Sequence, residues 1–158
     1  MKRTVAILFT LGFVAAAAGC AQKAPESSPA TATDTVAAAP APVLLTKSLY
    51  DDGPRASASP VDAALAAAGE KLFQTRGCKV CHGYGKKLTG PDLKGVTLRR
   101  TAAWMENQIM HPDVMTRTDP ISHQLMVQNA NVQMLNLRLT QAEAQSLIQY
   151  FKKLDAGK

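Results

Sequence analysis

Three cysteines, one tryptophan and an aromatic share of 5% leave this 158-residue chain short of the usual means of holding a small domain together. Cys20 stands near the amino terminus, while Cys78 and Cys81 are two residues apart. Once that close pair has a task, no cysteine is left for a disulfide framework. A domain of about 100 residues with so few aromatics has a thin core and needs apolar volume from another source. Long apolar runs are also missing. Residues 4–18 form the longest, which is shorter than the roughly 20 residues a spanning helix needs. Lys2 and Arg3 precede this run, and Ala17, Ala18, Gly19 and Cys20 close it. That is the layout of a secretory signal over residues 1–19, so export is expected rather than a permanent helix in a membrane.

Acidic residues are scarce as well: 12 Asp and Glu face 18 Lys and Arg, for a formal charge of +6. Removal of a signal carrying Lys2 and Arg3 lowers this by two. The excess is local, with Arg76, Lys79, Lys86, Lys87, Lys94, Arg99 and Arg100 clustered and only Asp92 among them. An exported chain rarely meets nucleic acid, so a basic stripe here points to an acidic face on a protein partner, the bland alternative being a solvated surface.

Residues 21–42 are Ala, Pro, Ser and Thr with scattered charges, too polar to offset the entropy of ordering them. Residues 20–58 are therefore expected to be a flexible tether. Val43, Leu44, Leu45, Leu49 and Tyr50 interrupt it with a short apolar segment that can fold back onto the domain or meet a partner. The domain is expected over 59–158. Ser59 is a candidate N-cap, with Pro60 at the first helical position and Asp62 completing a capping box. Leu65, Leu72 and Phe73 stripe the helix that follows. Gly83, Gly85, Gly90, Pro91 and Gly95 indicate a loop against a flat ligand. Trp104, Met105, Gln108 and Ile109 recur at helical spacing up to Pro112. A weakly patterned connection spans 111–136, with a short helix near 122–128. Thr140 and Glu143 make a capping box for a last helix striped by Ala144, Leu147, Ile148, Phe151 and Leu154.

The chemistry lies in Cys78-Lys79-Val80-Cys81-His82. This C-x-x-C-H sequence is the signature of covalent haem attachment. Two thiols at that spacing can each form a thioether to one porphyrin, and the histidine after them can place a nitrogen on iron. A zinc knuckle would have to borrow His111 or His123 to complete four ligands, and a redox dithiol would want a βαβ setting. No phosphate-cradling glycine loop and no nucleophile elbow accompanies the motif.

Over residues 59–154 the chain resembles the class I c-type cytochromes, small monohaem electron carriers. Gly69 to Phe73 with the cysteine motif, Gly90-Pro91-Asp92-Leu93, Trp104 and the last helix match in the family's order. The resemblance implies an all-α domain wrapped around one covalent haem c, with no small-molecule substrate. It further implies a hydrogen bond from His82 to the Pro91 carbonyl, and Trp104 packed near the haem and reaching a propionate. The sixth iron ligand in the family precedes the last helix, commonly in Met-Pro-Asn-Leu-Gly-Leu-Thr. Here Met134 heads Met-Leu-Asn-Leu-Arg-Leu-Thr, with Leu135 for proline and Arg138 for glycine. Met134 is the first candidate and Met126 the second, then a histidine or an open position. Cys20 after Ala-Gly resembles a bacterial lipoprotein cleavage site, although Ala17 replaces the usual larger aliphatic residue. That implies acylation of Cys20 and attachment to the periplasmic face of a membrane. The expected function is one-electron transfer between redox proteins. The alternatives are a haem subunit of a fixed complex, or a sensor or peroxidase with an open sixth position.

Overall fold

The computed structural model describes residues 44–55 and 60–157. The expected signal, Cys20, Ser59 and most of the expected tether lie outside them. Among the described residues every regular element is a helix, and no helix is long and apolar enough to cross a membrane. In chain order the helices are α1 Ala63–Thr75, α2 Cys78–Cys81, α3 Val96–Arg99, α4 Ala102–Met110, α5 Pro112–Thr118, α6 Pro120–Gln128 and α7 Gln141–Ala156.

Helix α1 begins later than the expected Ser59 cap allows. Asp62 is its N-cap, its carboxylate accepting the Leu65 N–H, while the Asp62 N–H donates to Gln149 Oε1 on α7 at 3.0 Å. A carboxylate at an N-terminus caps as well as a hydroxyl and also meets the helix dipole favourably. Helix α4 is capped by Thr101, and α7 by the expected Thr140–Glu143 box, with both reciprocal bonds formed.

Helices α1 and α7 cross at Gly69. A Cβ there would lie 2.0 Å from the Ser146 carbonyl oxygen, so this backbone approach requires glycine. Beside the crossing, Phe73, Tyr150 and Phe151 form an aromatic triangle with ring centroids 5.7 to 5.9 Å apart. Val96, Trp104, Met105, Ile109, Met115, Leu147 and Ile148 extend this core across α3, α4, α5 and α7.

The connection after α4 forms α6 where a short helix is expected near 122–128, and also α5, which its sequence does not suggest. Pro112 and Pro120 each occupy the start of a helix, where a missing N–H costs nothing. Asp119 caps α6 by accepting the N–H groups of Ile121 and Ser122.

Residues 44–55, placed in the tether by composition, lie against the domain. Polar groups hold them: the Leu45 N–H donates to Thr118 O at 2.9 Å and the Arg55 N–H to Leu98 O at 2.7 Å. The Thr101 hydroxyl donates to Tyr50 O. Leu49 is 74% exposed, so the apolar side chains are not what docks this strap.

Candidate functional site

Cys78 and Cys81 open and close α2, a single turn between Gly77, at φ 84°, and the extended backbone of His82. The His82 N–H donates to Cys78 O at 3.0 Å. A four-residue offset puts the Cys78 thiol and the His82 ring on one side of the turn, and both line a cavity. Cys81 is half-buried beside them but not on the cavity wall. Burial pushes the Cys78 thiol above its ordinary pKa, so it stands as a neutral thiol rather than a preformed metal thiolate. No cluster of three or more His, Cys, Asp and Glu is assembled among the described residues.

The His82 ring is fixed from behind. Its Nδ1–H donates to Pro91 O at 3.1 Å, the contact expected from the family. This sets the tautomer and leaves Nε2 as the nitrogen able to ligate. Gly90 makes the approach possible, and its N–H donates to Cys81 O at 2.8 Å. Asp92 ties the loop together by accepting the N–H groups of Lys94 at 2.9 Å and Gly85 at 2.7 Å. The Lys94 amide, with that of Gly85, holds the Asp92 carboxyl below its ordinary pKa.

Asp155, which sequence reasoning missed, anchors this loop to α7. Buried near the end of the helix, it accepts from Gly95 N–H at 2.6 Å, Thr97 N–H at 3.0 Å, the Thr97 hydroxyl at 2.7 Å and the Tyr84 hydroxyl at 2.8 Å. An acidic residue near a helix C-terminus opposes the dipole, and that anomaly was the available signal.

Met134, Met126 and Met105 line the same cavity. Met134 is half-buried, with its sulfur 3.9 Å from Gln108 Nε2. His111 is exposed, and His123 Nδ1 contacts Thr116 O at 3.2 Å; neither lines the cavity. Trp104 lines it, but the propionate contact expected of its indole is otherwise engaged. The Trp104 indole Nε1–H donates to Asp119 Oδ1 at 3.1 Å, so one buried carboxylate serves both Trp104 and the α6 cap.

The cavity has a volume of about 150 Å3 and opens to solvent on one side. Its wall is mainly apolar, drawn from Phe73, Leu93, Val96, Ile109, Leu125, Leu147 and Phe151. Gln108 Oε1 and Asn129 Oδ1, on residues of this wall, are buried without a hydrogen-bond partner, which native interiors rarely tolerate. An apolar cleft lined by one thiol and an oriented imidazole, with a second thiol beside it, suits a flat, largely hydrophobic, metal-bearing ring.

The cytochrome c family model matches residues 66–155. The chain belongs to the cytochrome c family. Cytochrome c-551 of Azotobacter vinelandii is 52% identical over 31 residues, a stretch covering 20% of this chain and 38% of that protein. A cytochrome c from Rhodothermus marinus is 30% identical, with a TM-score of 0.60 over 67% of this chain and 92% of its own. An engineered cytochrome c from the same organism, bound to a carbene intermediate, is also 30% identical, with a TM-score of 0.56 over 64% of this chain and 86% of its own. This cytochrome c therefore has the family's all-α fold and its covalently bound haem c. The wall fits that group in polarity and chemistry.

Proposed function

We propose that this cytochrome c carries single electrons between redox proteins outside the cytoplasm, with Cys78 and Cys81 thioether-linked to haem and His82 Nε2 and Met134 Sδ as axial ligands. The observation that carries the reading is the His82 Nδ1 to Pro91 hydrogen bond, which orients the ring on a cavity that Met134 also lines. The bound haem supplies exchange of one electron between ferric and ferrous iron. The chain's part is to hold both ligands in fixed loops, exclude water with apolar walls and leave no coordination position for a substrate. A thioether ligand and burial both raise the reduction potential.

Exposed Lys79, Lys86, Lys94 and Arg99 surround the motif and its loop, and their charge suits an acidic docking face. Acylated Cys20 would tether the domain to the periplasmic face of a membrane, for which more than one chain is required.

Optical spectra of ligand variants test the assignment. The ferric sulfur-to-iron charge-transfer band is expected to vanish in Met134→Ala and persist in Met126→Ala. Rapid carbon monoxide binding by the reduced native protein would overturn the carrier reading.

A further inference from the structure

The strap of residues 44–55 precedes the family match, which starts at residue 66, yet it supplies a buried charge. Asp51 is 7% exposed, and its side chain 1%. Its Oδ1 accepts from the Gly53 N–H at 2.9 Å and from Arg55 at 3.1 Å. Its Oδ2 is buried with no hydrogen-bond partner. The cation facing Oδ2 is Arg100, 3.7 Å away, an ion pair that is not closed into a hydrogen bond. Asp52, the strap's other acid, pairs with Arg55 at 2.8 Å.

Arg100 is positioned between two sites. Its guanidinium lies over the Trp104 ring, 5.4 Å from the centroid, and donates to Arg99 O at 2.9 Å. The residue lines the haem cavity on one side and, on the other, an open hollow of about 380 Å3 shared with Asp51, Lys47 and Gln124. A guanidinium has five N–H donors in a planar fork and seeks bidentate carboxylates. Asp51 leaves most of that fork unused. Haem brings two carboxylates of its own.

We propose that Asp51 is a positioning residue for the haem: as a second counterion to Arg100 it competes with a haem carboxylate, so the docked strap holds the reduction potential down. The inference rests on the carrier reading above. With Asp51 neutral, Arg100 turns fully to the haem carboxylate, and the added positive charge favours the ferrous state. Residues ahead of the family domain thus act as a tuning element on its iron.

The test is a double-mutant cycle read by equilibrium redox titration of the full-length holoprotein at one pH and salt. Asp51→Asn is expected to raise the midpoint potential and Arg100→Gln to lower it, and Asp51→Asn is expected to add little in the Arg100→Gln background. Arg55→Gln, which leaves Asp51 only Arg100 to pair with, is expected to shift the potential downward and serves if Asp51→Asn fails to fold. No shift, or an equal rise in both backgrounds, overturns the proposal, since Asp51 then acts without Arg100. A wild-type protein with a reversible couple but unresponsive variants removes this inference alone. Absence of any reversible one-electron couple removes the carrier reading and this inference together.

Discussion

Gly90 lies so close to the His82 imidazole that a Cβ on it would stand 2.7 Å from Cε1 and 2.9 Å from Nδ1. That contact and the 3.1 Å bond to Pro91 confine the ring from two directions. Gly90→Ala is expected to push the ring off the Pro91 carbonyl, at a cost of about 1–3 kcal/mol for overpacking. Urea unfolding of the holoprotein measures the loss, and the ferric spectrum reports the displaced ligand. A variant matching wild type in both would show that the ring has room.

Tyr84 and Asp155 make stability depend on pH at both extremes. Burial pushes the Asp155 carboxyl up, but hydrogen bonds from Thr97, Tyr84 and the Gly95 amide outweigh it and hold the carboxyl below its ordinary value. A depressed carboxyl stabilises the fold above the ordinary pKa of 3.8, and that contribution is lost as pH falls through the folded value. Tyr84 is pushed up from 10 to about 12 by burial and by Asp155. Its contribution is complete below pH 10 and lost as pH rises toward 12. Tyr84→Phe is expected to cost about 1 kcal/mol at neutral pH and to flatten the alkaline decline in unfolding free energy. An unchanged alkaline slope would show that Tyr84 does not carry it.

Arg138 occupies the place where the family has glycine, and its φ of 52° keeps the glycine-like, left-handed backbone. Asn136 Oδ1 supports it by accepting the Arg138 N–H at 2.9 Å. An L residue in that region costs roughly 1–2 kcal/mol, part of which glycine gives back as chain entropy. Arg138→Gly is therefore expected to stabilise the protein by about 0.5–1 kcal/mol in urea titrations. A loss of stability would mean that the arginine side chain contributes more than its backbone strain costs.

The basic surface predicts salt-sensitive kinetics. Oxidation of the ferrous protein by anionic ferricyanide is expected to slow as ionic strength rises from about 0.01 M to 0.15 M, where the screening length falls from about 30 Å to 8 Å. Stopped-flow rates that stay flat would remove the electrostatic docking argument.

Legibility in the sequence followed the strength of local signals. The haem motif, the capping box of α7 and the stripe of α4 could be read directly, because each is a contiguous pattern with one physical cause. Helix α5 could not, since Pro112 looks like a breaker until its N1 position is known, and α6, expected near 122–128, begins two residues earlier at Pro120 for the same reason. Asp119 shows the same limit: Asp-Pro before a short helix signals a cap, but its bond to Trp104 is a tertiary fact. The pairing of Asp51 with Arg100 and of Asp155 with Thr97 was illegible because the partners lie 49 and 58 positions away along the chain. Met134 was placed by register alone, and it lines the same cavity as His82.

Covalent attachment at the cysteine pair is tested most directly by mass. Tryptic digestion of correctly matured protein, followed by mass spectrometry, should give a peptide containing Cys78, Cys81 and His82 that carries one haem. The same peptide at the mass of its amino acids alone would contradict the account.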